Sequence, residues 1–156
     1  MASLAANCIT VKSPLGPLTV YERDGKIVGL DYGRGGRDSP TPLLLTAAEQ
    51  LDAYFYCSLK AFVMPLAPAG TTFQQAVWDE MRRIPYGRTC SYADLARELD
   101  SGPRAIGGAC ARNPLPIIIP CHRVLASGQR IGGYGSPGGL DTKRFLLELE
   151  GVRLAA

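Results

Sequence analysis

Residues 91–112 read SYADLARELDSGPRAIGGACAR, and this stretch decides the fold of the second half of the chain. Ser91 is a helix-capping residue type, and the apolar spacing after it predicts a short helix over Tyr92–Leu99. An Asp-Ser-Gly sequence ends that helix. Pro103, which is tolerated in a first helical turn, begins a second helix that runs to about Arg112. Two short helices joined by a tight, glycine-containing turn predict a helix-turn-helix.

The second of these helices is rich in small residues, among them Gly107 and Gly108. Each glycine costs a helix roughly 1 kcal/mol relative to alanine, so something must approach this helix closely. Tight packing against another helix is the commoner reason for such a composition. The alternative is the wall of a nucleic-acid groove, with Arg104 projecting from the start of the helix.

The segment that follows, Leu115–Pro120, is bounded by prolines and apolar enough to be buried, and it leads into Cys121 and His122, the only histidine. Cysteine attacks as a thiolate, so a free thiol, with a pKa of ~8.5, needs a base or a positive charge beside it. His122 is the candidate base, with a carboxylate to orient it. Adjacent residues of a strand point in opposite directions, so their contact requires a turn or a bridging water. The alternative interpretation is a buried cysteine beside a surface histidine.

The first third of the chain alternates as strands do, at Ile9–Val11, Leu18–Tyr21 and Ile27–Leu30, with a hairpin predicted at Asp24-Gly25. Leu43–Leu59 has helical spacing. We therefore expect a small antiparallel sheet with one helix.

A proline- and glycine-containing break near residue 66 predicts a domain boundary, after which Thr71 or Thr72 caps a further helix. A final helix carries Leu140, Phe145, Leu146 and Leu149. The predicted fold class is α+β. Residues 1–66 form a structural N-terminal α/β domain, and residues 67–156 form a mainly helical domain that contains the helix-turn-helix.

The composition excludes several classes of protein. With 156 residues, 46% of them hydrophobic, the chain can build a real core. Its apolar stretches are shorter than the roughly 20 residues that cross a bilayer, and its start lacks a secretory signal pattern. We therefore expect a soluble protein without a membrane partner, in the cytoplasm or, in a eukaryote, in the nucleus.

The five cysteines are scattered and odd in number, which argues against a disulfide framework. With one histidine and no CxxC pair, the sequence predicts neither a metal nor a cofactor. From Thr71 onward there are ten Arg and one Lys against eight acidic residues, whereas residues 1–70 have six of each sign. An arginine excess suits recognition of phosphate or planar groups, although a solvated surface is the alternative.

The hexapeptide Ile119–Val124, IPCHRV, resembles the active-site motif of the O6-alkylguanine-DNA alkyltransferases, also called methylated-DNA-protein-cysteine methyltransferases. RAIGGA at 104–109, Asn113-Pro114, Tyr134 and LLELEG at 146–151 support this resemblance, which is close over residues 71–153. It implies irreversible transfer of an alkyl group from O6 of guanine, and also from O4 of thymine, to a cysteine of the protein. Each molecule therefore repairs one lesion.

The resemblance also implies residue roles. Cys121 is the acceptor, His122 activates it through a bridging water, and Glu150 holds the histidine. Tyr92 donates a hydrogen bond to N3 of the base, and Asn113 ties the helix-turn-helix to the active-site segment. The implied DNA contacts are made by Tyr92, Arg104, Ala105, Gly107, Gly108, Ala111, Arg112 and Arg123. The implied wall of the substrate pocket is formed by Pro116, Val124, Gly132, Tyr134 and Gly135.

The implied partner is double-stranded DNA, bound by a monomer in the minor groove with little sequence preference, because the damaged nucleotide is flipped out. Arg104 would fill the vacated stack. Pro116 and Gly132 imply room for alkyl groups larger than methyl. Two alternatives stay open: a module that binds lesions without repairing them, and a cysteine hydrolase that uses Cys121 and His122.

Two departures from the family pattern affect local geometry, a shorter turn at Asp100–Pro103 and an insertion at Gly135–Pro137. The histidine ligands of a zinc site found in some relatives have no counterpart.

Overall fold

The protein is described from a computed structural model that covers residues 6–133 and 138–154. The chain divides between Ala69 and Gly70 into two compact units. The described residues combine a small antiparallel sheet with helices, which confirms the predicted α+β class.

The first unit contains a three-stranded antiparallel sheet of β1 (Asn7–Val11), β2 (Leu18–Arg23) and β3 (Lys26–Tyr32), and one helix, α1 (Pro42–Phe55). The β2–β3 hairpin turns at Asp24 and Gly25. Both have positive φ, 54° and 76°, as a type I′ turn requires. The core of the first unit contains apolar residues of β2, β3 and α1, namely Leu18, Val20, Ile27, Leu30, Leu44, Ala47, Leu51 and Tyr54.

α1 ends four residues before the predicted Leu59 because the chain closes a Schellman motif. Cys57 adopts a left-handed φ of 62°, its N–H donates to Tyr54 O, and the N–H of Ser58 donates to Ala53 O. The prediction was wrong at this end because cysteine is not a residue type that announces a left-handed cap.

The described residues of the second unit form four α-helices, α2 (Thr72–Arg82), α3 (Tyr92–Glu98), α4 (Pro103–Ala111) and α5 (Leu140–Leu149). A short parallel pair also forms between β4 (Cys90–Ser91) and β5 (Val124–Leu125), which the sequence did not predict.

Capping boxes begin two of these helices. Thr71 pairs with Gln74 at α2, and Ser91 pairs with Asp94 at α3. Both α2 and α3 pack on α4, and Trp78 of α2 donates from Nε1 to Ala109 O at 2.9 Å. The core of the unit therefore lies beneath α4 and continues into the buried segment Ile117–Ile119.

Among the described helices none has both the length and the apolar character needed to span a bilayer.

Candidate active site and nucleic-acid interface

Cys121 follows a tight turn of the backbone. Pro120 has φ −81° and ψ 68°, and the N–H of Cys121 donates to Ile119 O at 2.8 Å, which is an inverse γ-turn. Cys121–Arg123 then forms one 3₁₀ turn before β5 begins. Cys121 and His122 therefore do not lie on an extended strand. Because they lie in a turn, their side chains need not point in opposite directions. Cys121 is buried, with 6% of its surface exposed.

The turn directs His122 onto Glu150 at the end of α5. His122 Nε2 lies 2.7 Å from Glu150 Oε2, and neither side chain is exposed. Burial alone would raise the pKa of Glu150, but hydrogen bonds from His122 and Arg123 outweigh burial and lower that pKa to about 2. The carboxylate is therefore ionised at neutral pH and only accepts hydrogen bonds, so His122 carries its proton on Nε2.

The other ring nitrogen of His122, Nδ1, is the acceptor in this tautomer. Nδ1 is buried and has no hydrogen-bond partner within the described part of the chain. Burial lowers the pKa of His122, against the opposing effect of Glu150, so the imidazole is neutral at physiological pH. A neutral imidazole with an unengaged Nδ1 can accept a proton.

Arg123 makes its polar contacts inside the protein. Its Nε donates to Glu150 Oε1 at 2.8 Å, Nη2 donates to Glu150 Oε2 at 3.0 Å, and Nη1 donates to Ile84 O at 2.7 Å. Only 7% of the residue is exposed. The contact of Arg123 with DNA stays a prediction, and in this structure the guanidinium is instead bound to a buried carboxylate.

Lys143 is a second buried cation, which the sequence analysis missed. Its Nζ donates to Gly133 O at 3.0 Å and lies 5.6 Å from the centre of the Tyr92 ring. Burial lowers its pKa to about 8, while interaction with Cys121 and then Cys110 opposes that effect. Among residues 6–133 and 138–154, no carboxylate forms a salt bridge with Lys143.

The helical spacing of α5 could have revealed Lys143. Lys143, Leu146, Leu147 and Glu150 are spaced i, i+3, i+4 and i+7, which places all four on one face of a helix. All four are buried. A lysine and a glutamate sharing a face with two core leucines are the pattern that indicates a buried charged site.

Tyr92 stands at the start of α3, half-buried, with its hydroxyl 3.5 Å from Gly133 O. Burial, followed by the nearby Cys110 and Cys121, raises its pKa to about 12, so it remains a hydroxyl and can donate. Gly132 lies beside it with φ 70°, where an added Cβ would come within 3.3 Å of the ring. These residues form one side of the region near Cys121.

Of the four other predicted pocket residues, the structure describes two. Val124 is fully buried and Pro116 is partly exposed. Tyr134 and Gly135 lie outside the described residues.

Asn113 connects the end of α4 to the active-site segment. Its Nδ2 donates to Ile119 O at 2.9 Å, and its Oδ1 accepts from the N–H of Leu115 at 2.9 Å. The side chain thereby fixes both ends of the loop that leads into the turn at Pro120.

The outer face of α4 is shallow and carries an arginine at each end. The exposed residues of α4 are Pro103, Arg104, Ala105 and Ala111, and Arg112, which follows the helix, is exposed too. Gly107 and Gly108 are partly exposed, and a Cβ added to either would meet no atom within 4 Å beyond its own helix. Packing inside the described protein therefore does not require these glycines, contrary to the commoner explanation of their presence.

Within the described residues, no group of three or more His, Cys, Asp or Glu side chains is arranged to hold a metal ion.

Comparison with known proteins places the chain in a family. Residues 72–152 match the profile described as 6-O-methylguanine DNA methyltransferase, DNA binding domain. Over 150 residues the chain is 39% identical to the methylated-DNA–protein-cysteine methyltransferase of Methanosarcina acetivorans, covering 90% of this chain and 95% of that protein.

Two crystal structures share the fold. Mycobacterium tuberculosis O6-methylguanine methyltransferase is 38% identical, with a TM-score of 0.83 over 97% of this chain and 96% of its own. Mycobacterium tuberculosis OGT in complex with DNA is 40% identical, with a TM-score of 0.81 over 90% of each chain. The chain belongs to the methylated-DNA–protein-cysteine methyltransferase family.

Proposed function

We propose that this protein reverses alkylation damage in DNA by moving the alkyl group from O6 of guanine, and from O4 of thymine, onto Cys121. The observation that carries the proposal is the buried pair of Glu150 and His122, 2.7 Å apart, in the turn that begins at Cys121. The family relationship supplies the substrate class, since the relatives are named for methylated DNA and a protein cysteine.

The acceptor is activated by removal of its proton. His122 Nδ1 accepts the thiol proton of Cys121 through a bridging water, and Glu150 stabilises the resulting imidazolium through Nε2. The positive charge of Lys143, which interacts with Cys121, stabilises the thiolate. Each of these groups acts from a buried position, where electrostatic effects are stronger than in water.

The transfer is an in-line displacement at the alkyl carbon. A sulfur–carbon bond forms at Cys121 while the carbon–oxygen bond to guanine breaks, and the departing base takes a proton from the hydroxyl of Tyr92. Tyr92 is then reprotonated from bulk water while His122 returns the thiol proton to bulk water, so both side chains end neutral. The thioether product has no good leaving group. One molecule therefore accepts one alkyl group, as a methyltransferase that is consumed by its own reaction.

The outer face of α4 is the proposed DNA-binding surface. An O6 atom within a duplex is out of reach of a buried sulfur, so the nucleotide must flip out, at a cost of a few kcal/mol. Arg104, exposed at the start of α4, would fill the vacated position in the stack. The open surroundings of Gly107 and Gly108 support close approach of the helix to a minor groove. Contacts of this kind read the backbone and give little sequence preference.

We assign these steps to residues 67–156, acting as a monomer, and a structural role to residues 1–66.

The decisive test is intact-mass analysis after mixing the protein with duplex DNA that carries one O6-methylguanine. We expect one added methyl group per protein, on the peptide that contains Cys121. The Cys121→Ser variant should accept none and still bind the duplex, while the matched Cys110→Ser variant should be methylated. Binding without modification of the wild-type protein would favour the lesion-binding module, and repeated turnover without modification would favour a hydrolase.

A further inference from the structure

The carboxylate of Glu150 is held from two sides. His122 reaches one oxygen, while Arg123 donates to both, from Nε at 2.8 Å and from Nη2 at 3.0 Å. The remaining donor of this fork, Nη1, is fixed on Ile84 O, and the guanidinium carbon lies 5.8 Å from the centre of the Tyr86 ring. A planar fork bound at three points defines both the position and the plane of the carboxylate.

Arg123 also affects the protonation state of His122. A buried glutamate alone beside an imidazole favours the protonated imidazolium, which cannot accept another proton. The guanidinium, which stays charged at all physiological pH values, offsets that effect. The charged groups acting on His122 are Glu150 and Lys143 from α5 and Arg123 from its own turn. The helix α2, which also packs on this turn, buries only apolar residues.

We propose that Arg123 is a positioning residue that acts through Glu150: it orients the carboxylate and keeps His122 neutral, with its proton on Nε2, until the thiol proton of Cys121 arrives. This inference rests on the proposed alkyl transfer and adds to it a residue that acts on the acceptor only through Glu150 and His122. Position 123 requires arginine rather than lysine because only a guanidinium can donate to both carboxylate oxygens of Glu150 at once.

The protonation state of His122 can be measured without overlap from other residues, because His122 is the only histidine of the chain. Nitrogen-15 labelling of histidine gives one pair of ring signals, which report the tautomer and the titration of His122 directly. We expect the wild-type spectrum to show a neutral ring protonated on Nε2 at pH 7. In Arg123→Met we expect the ring to titrate at higher pH, since a nearby positive charge has been removed.

The changed titration of His122 should also alter the pH dependence of methyl transfer. The acid limb of single-turnover methyl transfer should lie at higher pH in Arg123→Met than in the wild type. At pH values below both limbs, a displacement of one pH unit corresponds to a rate roughly tenfold lower. Arg123→Lys keeps the charge but not the fork, so its acid limb should stay in place while its maximal rate falls. The matched control, exposed Arg82→Met, should change neither quantity.

The outcomes separate the two proposals. If the wild type accepts methyl at Cys121 but both Arg123 variants keep the wild-type His122 signals and pH profile, the positioning role is wrong and the alkyl transfer stands. If the wild type accepts no methyl, the proposed function fails, whatever the spectra show. Should Arg123→Met not fold, an unchanged maximal rate in folded Arg123→Lys would overturn the inference on its own.

Discussion

Glu150→Gln should destabilise the second unit by an amount that depends on pH in a specific way. The folded protein lowers the pKa of Glu150 from its ordinary value of 4.5 to about 2. The difference corresponds to about 3 kcal/mol of stability at pH 7, because one pKa unit is equivalent to about 1.4 kcal/mol. Removing one partner of a buried ion pair costs a similar amount, roughly 3–5 kcal/mol, because it leaves the other charge uncompensated.

The sign follows from the lowered pKa. The ionised carboxylate is favoured in the folded state, so its contribution is fully present above pH 4.5 and is lost as the pH falls towards 2. At pH 3 the contribution should be about 1.5 kcal/mol, roughly half of its value at pH 7. The difference in stability between wild type and Glu150→Gln should therefore shrink by about 1.5 kcal/mol between pH 7 and pH 3.

The assay is urea unfolding followed by the fluorescence of Trp78, the only tryptophan, which is buried in the second unit. Each protein is measured at several pH values from 3 to 7, with the exposed Glu148→Gln variant as the matched control. The control should show little difference from wild type at any pH. A Glu150→Gln penalty that is the same at pH 3 and pH 7 would refute the reasoning, because it would show that ionisation of the carboxylate is not what stabilises the fold.

Three further predictions concern the acceptor, the DNA surface and the pocket. Lys143→Met should slow the reaction of Cys121 with iodoacetamide at pH 7 and shift the midpoint of its pH–rate profile to higher pH. The exposed control Arg144→Met should change neither, and equal profiles for Lys143→Met and wild type would exclude stabilisation of the thiolate by Lys143. Gly108→Leu should leave the melting temperature unchanged or higher, since leucine favours helix by nearly 1 kcal/mol over glycine and a Cβ at this position meets no atom within 4 Å beyond its own helix. The same variant should weaken duplex binding about tenfold in fluorescence anisotropy. Unchanged affinity would remove α4 from the DNA interface. O6-benzylguanine should modify Cys121 at a rate comparable to that of O6-methylguanine if the pocket accommodates larger groups, and complete inertness in mass spectrometry would contradict this.

The sequence predicted those elements whose ends are specified by local side chains. The capping box of Ser91 with Asp94 and the hairpin turn at Asp24-Gly25 depend on residues a few positions apart, so their patterns are visible without the fold. The left-handed residues that end α1 and α3 are Cys57 and Asp100 instead of glycine. Ends of this kind are determined by the closing hydrogen bonds, which the sequence does not display.

The candidate site was predicted in part for the same reason. Cys121 and His122 are adjacent in sequence and have side-chain types that suit nucleophilic chemistry, so they could be named as candidates before the structure. The direction of Arg123 could not, because a surface arginine and an arginine buried against Glu150 look the same in sequence. The backbone turns at Pro120 and again over Cys121–Arg123, and in this turn the guanidinium reaches the buried Glu150.

The buried charges explain how a cysteine with 6% exposure can serve as a nucleophile. Burial by itself disfavours a thiolate, so an anionic Cys121 needs a compensating charge nearby. Arg123 is already paired with Glu150, and the two neutralise each other. Lys143 forms no salt bridge with a carboxylate in the described ranges, and an ionised Cys121 is the neighbour that would most raise the pKa of Lys143. On the proposed mechanism, a thiolate at Cys121 is the anion that would complete the charge balance of the site, and its alkylation would remove that charge permanently.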